Sequence, residues 1–243
     1  MSLPLVLVPG TLCDERVFKR ITPKLRQEAP IVHLSLRRLS SRQSWVLGLL
    51  RALPERFAIA GFSLGGLVAL EMLRRAPERI AGLALISSNA EPAGSRHKST
   101  RRHLTDKLRF SGPQRLCGSL KQRYFLSTRE AFRSRAELLR MARRTSPHHA
   151  RNQFAFAACR QSGHQSLRLF SHPLLILSGH HDPICPPALQ MRAAQSSSRS
   201  VLRMLPRCGH FSPWEHPGQV SNALLNWIKE ANAENRECTH ASN

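Results

Sequence analysis

The sequence predicts an α/β fold, a mostly parallel sheet with helices on both faces. Six apolar runs of strand length recur along its 243 residues. Helix-like stretches alternate with them. The runs are apolar at successive positions, as strands covered on both faces are. A β-α-β-α rhythm of this kind implies right-handed crossovers and a parallel sheet.

The strand-like runs are LPLVLV (3–8), IVHLSL (31–36), FAIAGF (57–62), AGLALIS (81–87), PLLILSG (173–179) and SVLRMLP (200–206). Helical spacing of apolar residues marks SWVLGLLRAL (44–53), GGLVALEMLRRAP (65–77) and PPALQMRAAQ (186–195). PGQVSNALLNWIKEA (217–231) opens on proline, which suits a first helical turn, and carries a Val220/Leu224/Trp227/Ile228 stripe. The polar tail at 232–243 is expected to fray. Between 95 and 170 the rhythm stops. RSRAELLRMARRTSP (133–147) and HHARNQFAFAACRQSG (148–163) are helical in character, with Pro147 between them. The organisation read from this is a core at 1–94 and 171–231 with a helical lid inserted at 95–170. Long insertions in such folds usually sit over a site.

Composition removes several classes of function. No apolar run reaches the roughly 18–20 residues of a membrane span. LPLVLVPG is too short for a signal peptide's apolar region and lacks a basic segment before it, so a cytoplasmic protein is expected. The six cysteines (13, 117, 159, 185, 208, 238) form no C-x-x-C pair and read as free thiols. HHDPIC (180–185) and the 148–149 histidine pair match no metal-ligand spacing. No metal and no cofactor are expected. Formal net charge is +22, and 31 of the 37 basic residues are arginine. Residues 95–170 hold 18 Lys/Arg against Asp106, Glu130 and Glu137, a local charge of +15. Such a field attracts anions. Nucleic acid is the weaker reading, because no recognition motif appears and aromatic residues are only 6%.

The chemistry gathers around Gly61-Phe62-Ser63-Leu64-Gly65, a G-x-S-x-G stretch with a strand before it and an apolar-periodic helix after it. This is the setting of a nucleophile elbow, in which small residues two before and two after the serine allow a strained turn that exposes Oγ. A serine hydroxyl needs a base, and the base needs an orienting acid. The chain order expected for this elbow is serine, acid, histidine. Asp182 follows the run at 173–179, and His210 follows the last strand beside Gly209. Both fall at the C-terminal ends of strands, where open α/β sheets place their sites. Ser63 is therefore the candidate nucleophile, His210 the base and Asp182 the orienter. His180, His181 and His216 are rival bases, and Glu91 is the rival acid. Asp14 reads as a cap. Cys185 and Cys208 flank the site without being arranged as nucleophiles. The oxyanion hole calls for two backbone donors. They are assigned to Leu64 and, from the loop VPGTLCD (8–14), Thr11 with Leu12 as second choice.

VPGTLCD, GFSLGG, SGHHDPICPP and GHFSPWEHP together resemble the α/β-hydrolase-fold serine hydrolases, in family order and over nearly the whole chain. Pro9-Gly10 stands where the family commonly has His-Gly. A small single-core chain of this kind is similar to carboxylesterases, enol-lactonases, C–C bond hydrolases and pimeloyl-carrier-protein methyl ester esterases. The resemblance implies acyl transfer to water through an acyl-serine. The expected substrate is a small-molecule ester, anionic or borne by an acidic acyl carrier protein. Phe110, Leu116, Tyr124, Phe125, Leu138, Met141, Phe154 and Phe156 of the lid suit an alkyl or small aromatic acyl group, most of them as lid core or lid-to-core packing and a minority in contact with substrate.

Overall fold

Residues 2–40, 45–120 and 124–241 are described by a computed structural model. The first half of the chain forms β1 (Leu5–Val8), α1 (Thr22–Leu25), β2 (Ile31–His33), α2 (Trp45–Arg51), β3 (Phe57–Phe62), α3 (Leu64–Arg75) and β4 (Ile80–Ile86). Four helices follow: α4 (Ser95–Leu120), α5 (Thr128–Arg143), α6 (Pro147–Ala158) and α7 (His164–Leu169). The chain then returns through β5 (Leu174–Gly179), α8 (Pro187–Gln195), β6 (Ser200–Leu205), α9 (Ser212–Glu215) and α10 (Pro217–Ala241).

The six strands make one sheet in the order β2-β1-β3-β4-β5-β6, and every pairing is parallel. Alternation of side chains explains the continuous apolar runs. Leu5, Leu7, Ala58, Ala60, Leu175 and Leu177 enter one core with the α10 stripe of Val220, Leu224, Trp227 and Ile228. Val6, Val8, Phe57, Ile59, Leu174 and Ile176 enter the other with Val46 of α2, Val68 of α3 and Ala193 of α8. Both faces are thus removed from water, which supplies the main stabilisation of the sheet. The edge strands β2 and β6 are less buried, and β2 stops at His33 rather than running to 36.

The segment between β4 and β5 is entirely helical apart from its connections, among the described residues. α4 packs against α5 and α6, and α6 reaches α3. Gly112, at φ 66° just before Pro113, interrupts the helical path within α4. Ser127 caps α5 by accepting from Glu130 N–H, and Ser146 caps α6 ahead of Pro147 at its first turn. Residues 121–123 of the expected lid lie outside the described residues, as does Ser44 of the expected helix 44–53.

The tail differs from expectation. α10 continues to Ala241 instead of fraying after 231. Polar residues dock it there. Asn232 Oδ1 accepts from Leu3 N–H at 2.7 Å. Glu234 pairs with Arg199 and lies 3.7 Å from His172 Nδ1. Residues 242–243 of the expected tail lie outside the described residues.

Candidate active site

Chain order reverses across the sheet where β1 lies between β2 and β3, so the loops leaving β1 and β3 diverge and open a crevice. Ser63 stands at that crevice, between β3 and α3, with φ 52° and ψ −113°. Holding a non-glycine residue there costs about 1–3 kcal/mol. The surroundings enforce it. A Cβ on Gly61 would overlap the backbone of Gly65 and Gly66, and one on Gly65 would overlap the Val8 carbonyl. Ser63 N–H donates to Ile86 O at 2.9 Å. Leu64 heads α3, so its N–H has no partner within the helix and the positive end of the helix dipole lies beside Ser63.

The structure brings Ser63, Asp182 and His210 together from three loops. His210 Nε2 is 3.0 Å from Ser63 Oγ, and its Nδ1 is 2.8 Å from Asp182 Oδ2. Asp182 and His210 are 2% and 3% exposed, so this pairing is shielded from water. Burial alone would raise the Asp182 pKa. The neighbouring His210, together with the Cys185 and Ile184 N–H groups donating to the carboxylate, outweighs burial and holds the pKa below its ordinary value. Ser178 Oγ donates to Asp182 Oδ2 at 3.3 Å. The imidazole is bracketed by the Phe62 and Tyr124 rings, at 5.4 and 5.8 Å between centroids. Its loop is tied to the segment before α5. Tyr124 O accepts from His210 N–H at 2.7 Å. Glu215 accepts from both Gly209 N–H and Leu126 N–H. Burial pushes the Glu215 carboxyl up despite these bonds.

The rivals are engaged elsewhere. His180 and His181 pack edge-on against each other. His216 Nε2 is 3.1 Å from Arg207 O. Glu91 holds Arg192 Nε at 2.9 Å and lies 3.1 Å from His164 Nε2. Asp14 caps the turn Glu15–Phe18 and gathers Arg16 and Arg37. Cys13, Cys185 and Cys208 are buried thiols, and the Cys238 side chain lies outside the described residues. Asp182, Cys185 and His210 place ligand-type atoms within 4.8 Å of one another. Burial drives the Cys185 thiol far above its usual value, and His210 Nδ1 already faces Asp182. That set suits the hydrogen-bonded arrangement better than a metal.

The first loop is shaped by contacts that the sequence did not disclose. Gln153 of α6 is fully buried. Its Oε1 accepts from Leu12 N–H at 2.8 Å and its Nε2 donates to Leu36 O at 3.0 Å. Leu12 itself is at φ 56°. Its N–H is therefore occupied, whereas Thr11 and Leu64 line a cleft with Ser63. That cleft, about 410 Å³ with its open mouth, is also lined by Leu67, Ser88, Asn89, Arg101, Ala157, Arg160, Ile184 and Cys185. None of the eight apolar lid residues named from the sequence lines it. Phe110 is 86% exposed, and Leu138, Met141, Phe154 and Phe156 are consumed in packing. Helices α4–α6 bury their apolar stripes in packing, which leaves polar and small residues at the cleft.

No helix among the described residues is long and apolar enough to cross a membrane. The chain is 24% identical over 241 residues to the biotin biosynthesis bifunctional protein BioHC of Cellvibrio japonicus, covering 93% of this chain and 47% of that one. It therefore spans about half the length of that relative. It is 27% identical over 170 residues to the pimeloyl-[acyl-carrier protein] methyl ester esterase of Nitrosomonas europaea, covering 65% of this chain and 66% of that one. Among solved structures, a malate-bound thermophilic esterase from Thermogutta terrifontis superposes with a TM-score of 0.82 at 25% identity, covering 96% of this chain and 91% of that one. The family model for alpha/beta hydrolases matches residues 5–223. With a six-stranded parallel sheet and a serine elbow at its crevice, the chain belongs to the alpha/beta hydrolase family.

Proposed function

We propose that this protein cleaves a carboxylic ester through an acyl-serine intermediate, with Ser63, His210 and Asp182 as its catalytic residues. The observation that carries this reading is the continuous path from Ser63 Oγ to His210 at 3.0 Å and on to Asp182 at 2.8 Å. Ser63 Oγ attacks the acyl carbon as His210 Nε2 takes its proton. Asp182 keeps Nδ1–H directed at itself and offsets the imidazolium charge. The oxyanion meets the N–H groups of Leu64 and Thr11, a donor of this kind being worth about 10²–10³ in kcat. His210 then protonates the leaving alcohol. A water activated by the same imidazole releases the acid and regenerates Ser63.

Helices α4–α7 act as the lid in this scheme, with α4 and α6 covering the acyl group. Buried thiols at Cys13, Cys185 and Cys208 suit a reducing compartment, the cytoplasm. A fluorophosphonate probe should label the wild-type protein and fail on Ser63→Ala. A p-nitrophenyl ester series of increasing acyl length should be turned over by untreated wild type and not by Ser63→Ala. Absence of labelling in folded wild type would reject the assignment.

One observation favours a carrier-borne substrate. α5 exposes Arg129, Arg133, Arg135, Arg140 and Arg143 along its 16 residues, and Arg144 follows as its C-cap. The relative from Nitrosomonas europaea is named for an acyl-carrier-protein ester. In this reading an acidic carrier protein docks on α5 and presents its acyl ester to Ser63. Arg133, Arg135 and Arg143 changed together to alanine should then lower kcat/KM for a carrier-bound ester about tenfold. The variant should also lose most of the salt dependence. Unchanged kcat/KM at low salt would exclude docking on this face.

A further inference from the structure

Two guanidinium groups share the cleft with Ser63, and neither is ion-paired with a carboxylate among the described residues. Arg16, Arg20, Arg37, Arg74, Arg75, Arg140, Arg144, Arg192 and Arg199 all pair with acids. Arg101 comes from α4 and lies over the Phe154 ring at 5.6 Å. Arg160 follows α6, is 9% exposed, and is fixed by donating to Glu91 O at 2.9 Å and Ala157 O at 2.7 Å. Those bonds use Nε and Nη1 and leave Nη2 for another acceptor. Ser88 Oγ, also in the cleft lining, is buried with no hydrogen-bond partner among the described residues.

Like charges withdrawn from water beside each other, with no anion between them, are unfavourable. Burial lowers the pKa of both groups, and Arg101 lowers that of Arg160 further. A planar fork sharing a cleft with an unpartnered hydroxyl offers the donors that a carboxylate accepts.

We infer that Arg101 and Arg160, with Ser88, form an anion subsite beside Ser63, and that the substrate's acyl portion carries a free carboxylate. The inference rests on the ester-hydrolase reading for the position of the scissile bond. It narrows the substrate class to half-esters of dicarboxylic acids and related anionic acyl compounds. The basic exterior would draw such anions in, and the guanidinium pair would select among them.

The test compares p-nitrophenyl hydrogen glutarate with uncharged p-nitrophenyl valerate. Wild type should favour the anionic ester in kcat/KM by about tenfold or more. Arg101→Met and Arg160→Met should each cut that ratio by about tenfold, and Arg101→Lys should retain part of it. The melting temperature of Arg101→Met should hold or rise, because a half-buried charge with no carboxylate partner is removed; a structural arginine would lower it. In parallel, glutarate, glutaramide and inorganic phosphate are titrated calorimetrically into Ser63→Ala. Glutarate should bind, glutaramide should not, and Arg101→Met in that background should abolish the heat. Fluorophosphonate labelling of wild type separates the two ideas. A labelled protein with no anionic preference and no glutarate binding retains its hydrolytic reading and loses the subsite. An unlabelled protein loses the hydrolytic reading, and the glutarate titration still decides the subsite. Tighter binding of phosphate than of glutarate would overturn the carboxylate assignment.

Discussion

Replacing His210 with alanine is expected to lower kcat by about 10⁴-fold on any ester the protein accepts. That corresponds to roughly 5.4 kcal/mol of lost transition-state stabilisation. The magnitude follows from the geometry. Ser63 Oγ has His210 Nε2 at 3.0 Å, the proposed proton acceptor, and Asp182 Oδ2 lies 2.8 Å from the other imidazole nitrogen. Of the rival histidines, His216 turns to Arg207 O and His180 packs edge-on against His181. Steady-state kinetics of wild type and His210→Ala, with far-UV circular dichroism to verify the fold, make the measurement. Asp182→Asn should fall nearly as far, since an amide facing Nδ1 favours the wrong tautomer. Activity near wild type in His210→Ala would move the base elsewhere and dissolve the proposed roles of all three residues.

The parts of this site legible in the sequence are those set by local backbone demands. Gly61 and Gly65 are legible because a five-residue turn needs them, whatever the distant chain does. Asp182 and His210 could be placed because each directly follows a recognisable strand, and a parallel sheet delivers such loops to one edge. The sheet itself was legible in runs whose alternate residues feed two cores. What escaped detection depends on chain segments meeting across the fold. Gln153 orders the Thr11–Leu12 loop from 141 residues away. Glu215 joins the histidine loop to Leu126, 89 residues distant. Arg101 and Arg160 looked like two more arginines in a basic segment, until packing put them beside Ser63. Which residues of 95–170 line the cleft was not legible for the same reason. Apolar periodicity marks which lid residues are buried, and burial against other lid residues takes them out of the cleft.

Gly65→Ala should damage stability and catalysis together, and its size separates an elbow from an ordinary strand-to-helix turn. The added methyl would point into the Val8 carbonyl and the Pro9 backbone. Backbone atoms in the middle of a sheet cannot move aside as a flexible side chain can. β1 would have to separate from the start of α3, and β1 is paired on both sides by β2 and β3. A loss of about 3 kcal/mol or more follows, a drop of roughly 6–12 °C in melting temperature for a chain of this size. The surviving folded fraction should also be a poorer catalyst. Pro9 leads into Gly10 and Thr11, so the same displacement shifts the oxyanion donor proposed at Thr11 away from Ser63, while the one proposed at Leu64 stays. Fluorophosphonate labelling, normalised to folded protein by circular dichroism, reads the second effect independently of the first. Gly48 is the internal control, because nothing lies within 4 Å of a Cβ added there. Gly48→Ala should leave the melting temperature unchanged or raise it, since alanine favours the α2 helix. Equal melting temperatures for Gly65→Ala and wild type would mean that β1 and α3 are not in the contact that makes Ser63 adopt its strained backbone.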